Sequence, residues 1–199
     1  MQKLKLFSKY DSETLFDKIR REITDHIRQW PETNFRADQL ATHQEAVSKQ
    51  FQLQLPQIDF ANGREMEVEK IYPRSLVQPG AKPDQQVRLN VLVYQYSYEG
   101  DTYLLGCKPA TFVPETSGEW FVDPTFRSLT LEYTGYAKNP RKILTSHREY
   151  IPALINCYQV LRTEFENFKN ELNGIISQAM KERQSELEAF NKILSMMRG

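Results

Sequence analysis

Apolar residues recur at steps of three and four between residues 12 and 30, with charged residues between them. This spacing predicts an amphipathic helix with one buried stripe. Asp11 or Ser12 can cap its start, and Pro31 ends it. A second, weaker helix is predicted over residues 36–50. The stripe of the first helix consists of Leu15, Phe16, Ile19, Ile23, Ile27 and Trp30.

From residue 51 the apolar period changes from helical to alternating. Apolar residues at 51–55 alternate with glutamines, and Met66 and Val68 alternate with glutamates. Asn62-Gly63 lies between these two runs, and such a dipeptide is typical of a tight turn between paired strands. The pattern therefore predicts a β-hairpin.

The longest alternating run covers residues 87–98, with valines and leucines on one face and tyrosines on the other. Glu99-Gly100-Asp101 predicts a turn into a further strand at 103–107, and residues 119–122 and 128–134 have two more strand patterns. A loop is expected over 73–86. Because parallel strands need long crossovers, these short connections favour an antiparallel meander of about five to six strands.

The helical period returns near Thr145 and continues almost to the end of the chain. Residues 181–186 interrupt the stripe, which then resumes with a four-residue offset. The stripe keeps its phase through Asn173-Gly174, which favours one continuous helix over a hairpin that folds back near 173–174 or 181–186. Ser146 and Glu149 form a capping-box pattern, so the helix is expected to start near His147 or, alternatively, near Pro152.

The fold class predicted is α+β: one or two N-terminal helices, the antiparallel meander and the long C-terminal amphipathic, coiled-coil-like helix. We expect an α+β body over residues 1–144 and a helix or helical hairpin over 145–199. A helix of that length spans roughly 75–80 Å, whereas the body would be about 40 Å across. The overhanging stripe then requires a second copy or a helical partner. Its predicted interface residues are Tyr158, Leu161, Phe165, Phe168, Leu172, Ile175, Leu187, Phe190 and Leu194.

Composition narrows the function classes. The chain has 199 residues, with 26 basic and 26 acidic side chains, so bulk attraction to nucleic acid or to an anionic membrane is not expected. No apolar run reaches the length of a membrane helix or of a signal-peptide core, which predicts a cytoplasmic protein without membrane association. Cys107 and Cys157 are predicted to be reduced, buried thiols. No cofactor is expected, and the scattered cysteines and histidines predict no metal site.

One basic segment favours an alternative function in binding nucleic acid or a nucleotide. Residues 138–148 contain four lysines or arginines and no acidic residue, ahead of the predicted helix N-terminus, where backbone amides favour anions. The tyrosine face of the long strand could stack bases. The residues of this alternative are Lys138, Arg141, Lys142, His147, Arg148, Tyr94 and Tyr96.

The sequence supports enzymatic activity less than it supports assembly or nucleic-acid binding. Glu65, Glu67 and Glu69 repeat on one strand face and could hold Mg²⁺ or transfer protons, but the neighbouring residues do not complete a nuclease-like pattern. A charged edge strand that resists aggregation explains the same residues. No catalytic residue is assigned. The sequence therefore predicts a non-enzymatic interaction or assembly protein, with nucleic-acid or nucleotide binding as the alternative.

Overall fold

The computed structural model describes residues 1–36, 38–76, 80, 82, 85–111 and 113–198. Contacts within the chain divide it into two units. Unit 1 contains Met1–Tyr10 and Leu55–Val160, and unit 2 contains Asp11–Gln54 together with the chain from Leu161 onward. The boundary falls inside the long helix, between residues 160 and 161. The division into 1–144 and 145–199 stays a prediction.

Among the described residues, two short strands and two helices precede six consecutive strands, and the long helix comes last. Their order is β1 (Gln2–Leu4), β2 (Tyr10–Asp11), α1 (Ser12–Arg28), α2 (Leu40–Phe51), β3 (Gln57–Ile58), β4 (Arg64–Pro73), β5 (Gln86–Glu99), β6 (Cys107–Lys108), β7 (Glu119–Asp123), β8 (Ser128–Tyr133) and α3 (Pro140–Arg198).

Unit 1 is built on an antiparallel sheet in the order β1-β7-β8-β5, with β3 and β4 both paired to β5. Because side chains alternate across a strand, the register determines its two faces. Val93 lies opposite Met66 on β4 and Glu132 on β8, so these three side chains share one face, which we call the Met66 face. Tyr94 and Leu131 belong to the other, which we call the helix face.

The helix face is covered by the first part of α3. The His147 ring stacks on Tyr94 with 3.5 Å between ring centroids. Trp120 Nε1 donates to Tyr150 Oη at 3.0 Å. Leu131 and Leu154 are fully buried. Aromatic rings and aliphatic side chains therefore form the core of unit 1 between the sheet and the helix.

Unit 2 is a bundle of α1, α2 and the α3 residues from 161 onward. The Phe16 ring stacks on Phe168 at 4.4 Å and meets Phe165 edge-on at 5.2 Å. At the polar boundaries, Ser12 Oγ donates to Glu164 at 2.7 Å, and Gln44 on α2 donates to Ser177 Oγ at 3.0 Å. The bundle core includes Leu15, Ile19, Ile23, Ile27, Leu161, Leu172 and Ile176.

The α+β class, the first helix and the continuity of the long helix are confirmed. The predicted start of the long helix is wrong, because α3 begins at Pro140 rather than near residue 147 or 152. Ile143 N–H donates to the Asn139 carbonyl, which is the first helical bond. Proline suits a first helical position because its missing N–H would have no partner there. Pro152 lies inside the helix.

The predicted hairpin at Asn62-Gly63 is wrong. Residue 51 ends α2, and β3 and β4 on either side of the turn both pair with β5 rather than with each other. The alternation near residue 53 therefore belongs to a connection. The amino-acid pattern of a hairpin was present, but the long neighbouring strand β5 offers more pairing than the two short runs offer each other.

The strand expected at 103–107 is mostly a 3₁₀ turn, Thr102–Gly106, which Asp101 caps by accepting the Tyr103 N–H at 2.9 Å. The following strand β6 leaves the main sheet and pairs with β2. As a result β8 takes the place beside β5, and the strand order is more complex than a meander. Part of the loop expected over 73–86, namely 77–79, 81, 83 and 84, lies outside the described residues.

Replacing Phe168 with alanine should strongly destabilise unit 2. Phe168 is 3% exposed, contacts the Phe16 ring and lies under the Arg20 guanidinium at 5.4 Å. A Phe→Ala change in a core lowers the free energy of unfolding by about 3–5 kcal/mol. Urea unfolding followed by circular dichroism measures it. The control is Lys169→Ala at the exposed neighbouring position, expected within about 0.5 kcal/mol of wild type. Equal effects would contradict the packing described.

Candidate functional site

Most of the predicted interface residues on α3 are buried within the chain. In unit 2, Leu161, Phe165, Phe168 and Leu172 are at most 5% exposed. In unit 1, Tyr158 is 7% exposed and its hydroxyl donates to the Pro56 carbonyl at 2.8 Å. The interpretation of these five positions as a partner surface is therefore wrong, because the chain itself covers them.

Ile175 is half-buried, whereas its neighbour Ile176 is fully buried. A straight helix has 3.6 residues per turn, so a strict seven-residue repeat drifts around its surface by about 20° per heptad. After several heptads the buried line has moved to the adjacent residue. This drift explains why the seven-residue pattern identified the wrong isoleucine.

The last part of α3 has a different environment. Arg183 donates to the Trp30 carbonyl at 3.3 and 3.4 Å, and among the described hydrogen bonds it is the last from α3 to another element. Beyond it, Phe190 is 58% exposed, Ile193 56%, Met196 68% and Met197 78%. With the half-buried residues at 187 and 194, these apolar side chains form what we call the C-terminal stripe. The stripe consists of Leu187, Phe190, Ile193, Leu194, Met196 and Met197.

The C-terminal stripe has a defined geometry. At about 100° per residue, its six positions cover roughly half of the helix circumference. Glu188, Asn191, Lys192 and Ser195 occupy the other half. Of the residues predicted as an interface, 187, 190 and 194 thus lie in this stripe and are at least partly accessible, and Ile175, which lies outside it, is half-buried.

The basic residues of segment 138–148 lie in two different elements. Lys138 lies in a short 3₁₀ turn, Tyr136–Lys138, and Arg141, Lys142 and Arg148 are exposed on the first turns of α3. Their role as an anion site stays a prediction. The inclusion of His147 is wrong, because this side chain is only 7% exposed and points into the core of unit 1.

The tyrosine face is not an exposed stacking platform, so this prediction is wrong for Tyr94 and Tyr96. Both side chains are at most 8% exposed. The Tyr94 ring is covered by His147, and the Tyr96 ring contacts Phe60 and Trp120 at 5.4 and 6.0 Å. Desolvation raises the pKa of Tyr94 to about 12. The rings form a core, where no base could stack on them.

His147 belongs to a chain of polar groups inside that core. Its Nδ1 lies 3.1 Å from Tyr133 Oη, which lies 3.2 Å from Thr116 Oγ1. Burial lowers the pKa of His147 to about 4, because the charged imidazolium would lose its water. The histidine is therefore neutral at physiological pH, and its position supports a structural role.

A buried ion pair on the Met66 face was not predicted from the sequence. Glu132 is 3% exposed, accepts a hydrogen bond from the Lys70 ammonium and accepts another from Tyr72 Oη at 2.7 Å. Desolvation raises the pKa of Tyr72, and the hydrogen bond and charge of this carboxylate raise it further. Alternation in 128–133 places Glu132 with the polar residues, as for a solvent-facing position. Its partners become apparent only when the register of β4, β5 and β8 is known.

A cleft of about 280 Å³ lies on the same face, and Lys70 lines one part of it. Met66, Val68 and Val93 line its apolar part, and Phe126, which is 79% exposed, also borders it. The face thus combines an apolar surface with a lysine whose charge is neutralised by a buried glutamate.

The glutamates of β4 do not form a metal site. Glu65, Glu67 and Glu69 are exposed, and Glu69 lies 3.5 Å from the Arg88 guanidinium. Within the described residues, no group of three or more histidine, cysteine or acidic side chains is arranged to hold a metal ion. In the same part of the chain, no helix is long and apolar enough to cross a membrane.

Comparisons with protein-family models, curated proteins and solved structures gave no match for this chain.

Acidification should weaken the folded state through His147. The unfolded chain takes up this proton near the ordinary pKa of 6.5, whereas the folded protein does so only near 4. The stabilisation is complete above pH 6.5 and is lost as the pH falls towards 4. His147→Gln removes the titration and keeps a hydrogen-bonding group beside Tyr133. Urea unfolding across this range should show a shallower pH dependence for the variant, and identical slopes would contradict a buried neutral histidine.

Proposed function

We propose that this protein is a non-enzymatic assembly protein that joins a second copy of itself through the C-terminal stripe of α3. The exposure of Phe190, Ile193, Met196 and Met197 carries the proposal. Contiguous apolar surface on a helix is stabilised when another apolar surface removes it from water, at about 25 cal/mol per Å².

The spacing of the stripe favours a second copy as the occupant. Leu187, Phe190, Leu194 and Met197 are separated by steps of three, four and three. This series is the same in both directions. An antiparallel copy can therefore place residue 187 over 197 and residue 190 over 194, which is the self-complementary arrangement that a two-fold interface requires.

The polar half of the same helix segment supports a protein partner rather than an anionic surface. Glu188 and Lys192 carry opposite charges there, and the neighbours Asn191 and Ser195 are neutral. Helices that bind anionic membranes usually carry several lysines or arginines on this side.

We also propose a cytoplasmic location, supported by Cys107 and Cys157, which are both buried and not disulfide-bonded.

The double variant Phe190→Glu/Met197→Glu should convert a dimer into a monomer. Each substitution places a charge in an interface that would exclude water, and burying it unpaired is strongly unfavourable. Sedimentation velocity over a dilution series measures the change. Wild type is expected to dissociate only on dilution, and the variant to be monomeric throughout.

The matched control is Asn191→Glu/Ser195→Glu, which adds the same charge to the opposite side of the same helix turns. It should keep the wild-type dimer, and circular dichroism should show equal helix content for all three proteins. A wild-type monomer at every concentration would refute the proposal. Equal dissociation of both double variants would show that charge, rather than the stripe, controls association.

A further inference from the structure

The outer edge of β4 is an extended surface in unit 1, separate from the C-terminal stripe. β4 has ten residues, Arg64–Pro73, and every one is in register with β5. In the described part of the chain, β4 pairs with β5 alone. A strand edge of this kind presents backbone N–H and C=O groups that another strand can use.

Three backbone hydrogen bonds show which β4 residues present these groups. The Tyr98 N–H donates to the Arg127 carbonyl on the β8 side, so even-numbered β5 residues bond towards β8. The Ser97 carbonyl accepts from Asp59 on the opposite side, so odd-numbered β5 residues bond towards β4.

Even-numbered β4 residues lie opposite the odd-numbered β5 residues, and they therefore use their backbone groups on β5. The bond from the Arg74 N–H to the Gln85 carbonyl continues the same series. Consequently the backbone groups of Glu65, Glu67, Glu69 and Ile71 point outward, away from β5.

Three of these four outward-bonding residues carry carboxylates, which form a row along the edge. Glu65, Glu67 and Glu69 are exposed on the helix-face side of the strand. Lys70, the basic residue within this run, extends to the other face and is paired with Glu132. At one end of the row, Glu69 lies 3.5 Å from Arg88. The edge thus has a net negative charge on one side.

The opposite side of the edge is apolar at Met66 and Val68. Met66 is 36% exposed, and together with Val68 it forms the β4 wall of the 280 Å³ cleft on the Met66 face. Over residues 65–69, β4 therefore presents carboxylates on one side and apolar side chains on the other, in strict alternation.

We infer that the edge of β4 binds an extended peptide segment in which basic and apolar residues alternate. The segment adds to the sheet as a further strand through the outward backbone groups of Glu65, Glu67 and Glu69. Its basic side chains lie beside the carboxylates, and its apolar side chains lie beside Met66 and Val68 over the cleft. Charge complementarity on one face and burial on the other select the segment.

The probe is an acetylated, amidated peptide of alternating lysine and valine that is long enough to span Glu65–Ile71. The composition control is a peptide with the same numbers of lysines and valines, in which the lysines form one block and the valines form another. The protein should bind the alternating peptide at least about tenfold more tightly than the control peptide in fluorescence anisotropy, since only the alternating pattern satisfies both faces. Amide exchange at Glu65, Glu67 and Glu69 should slow on binding.

Two variants of Glu67 test the contributions of charge and of backbone pairing separately. Glu67→Gln removes a carboxylate and should weaken binding about two- to fivefold, as for an exposed ion pair. Glu67→Pro also removes an N–H that points outward, so it leaves the bonds between β4 and β5 intact and should weaken binding about tenfold or more. Continued exchange protection of Met66 and Val68 verifies that this variant keeps its sheet.

Two peptide variants test the same point without changing the protein. N-methylation of alternate residues blocks either the backbone groups that face β4 or those that face solvent. One methylated peptide should lose binding and the other should keep it.

The inference would be overturned if both methylated peptides bound equally, or if the control peptide bound as tightly as the alternating peptide. It would also be overturned if the alternating peptide did not bind at all. Protection of Glu65, Glu67 and Glu69 in the peptide-free protein that disappears on dilution would also overturn it, because a second copy would then occupy the edge.

Discussion

The apolar stripe of α3 is the constraint on which the rest of the structure depends. One helix of 59 residues carries apolar side chains along nearly its whole length, and these must be removed from water. Unit 1 covers the first part with the sheet, through contacts such as Tyr94 with His147. Unit 2 covers the next part with α1, through the Phe16–Phe168 stack. The final part keeps its apolar residues exposed, and the proposed self-association follows from that difference.

The two faces of the unit 1 sheet bury different kinds of side chain. The helix face buries aromatic rings and satisfies their polar atoms internally, as Trp120 and Tyr150 do. The Met66 face buries the carboxylate of Glu132, which is stable there because Lys70 and Tyr72 supply hydrogen bonds. Pairing Lys70 with Glu132 also withdraws a positive charge from the edge of β4, which leaves its glutamates as the dominant charges.

Much of the fold could be predicted from local pattern. The stripe of α1, the long strand β5 and the continuity of α3 each depend on periodicities that one segment contains by itself. The failures in strand order and in the assignment of the α3 stripe to a partner have a common cause, since they concern interactions between distant segments. The pairing of β8 with β5, the burial of Glu132 by Lys70 and the covering of Phe165 by Phe16 join residues that are far apart in sequence. A heptad pattern shows that a helix face needs a partner, but it does not distinguish a partner within the chain from one outside it.

Amide hydrogen exchange along α3, measured on the whole 199-residue chain at a series of protein concentrations, distinguishes the part of the helix that the chain covers from the part that a second copy would cover. Exchange at residues 161–180 should be slow and independent of concentration, because the chain itself covers this part of the helix. Exchange at residues 187–197 should slow as concentration rises, because a second copy then covers the C-terminal stripe. Exchange at residues 187–197 that is equally fast at every concentration would contradict the proposed self-association.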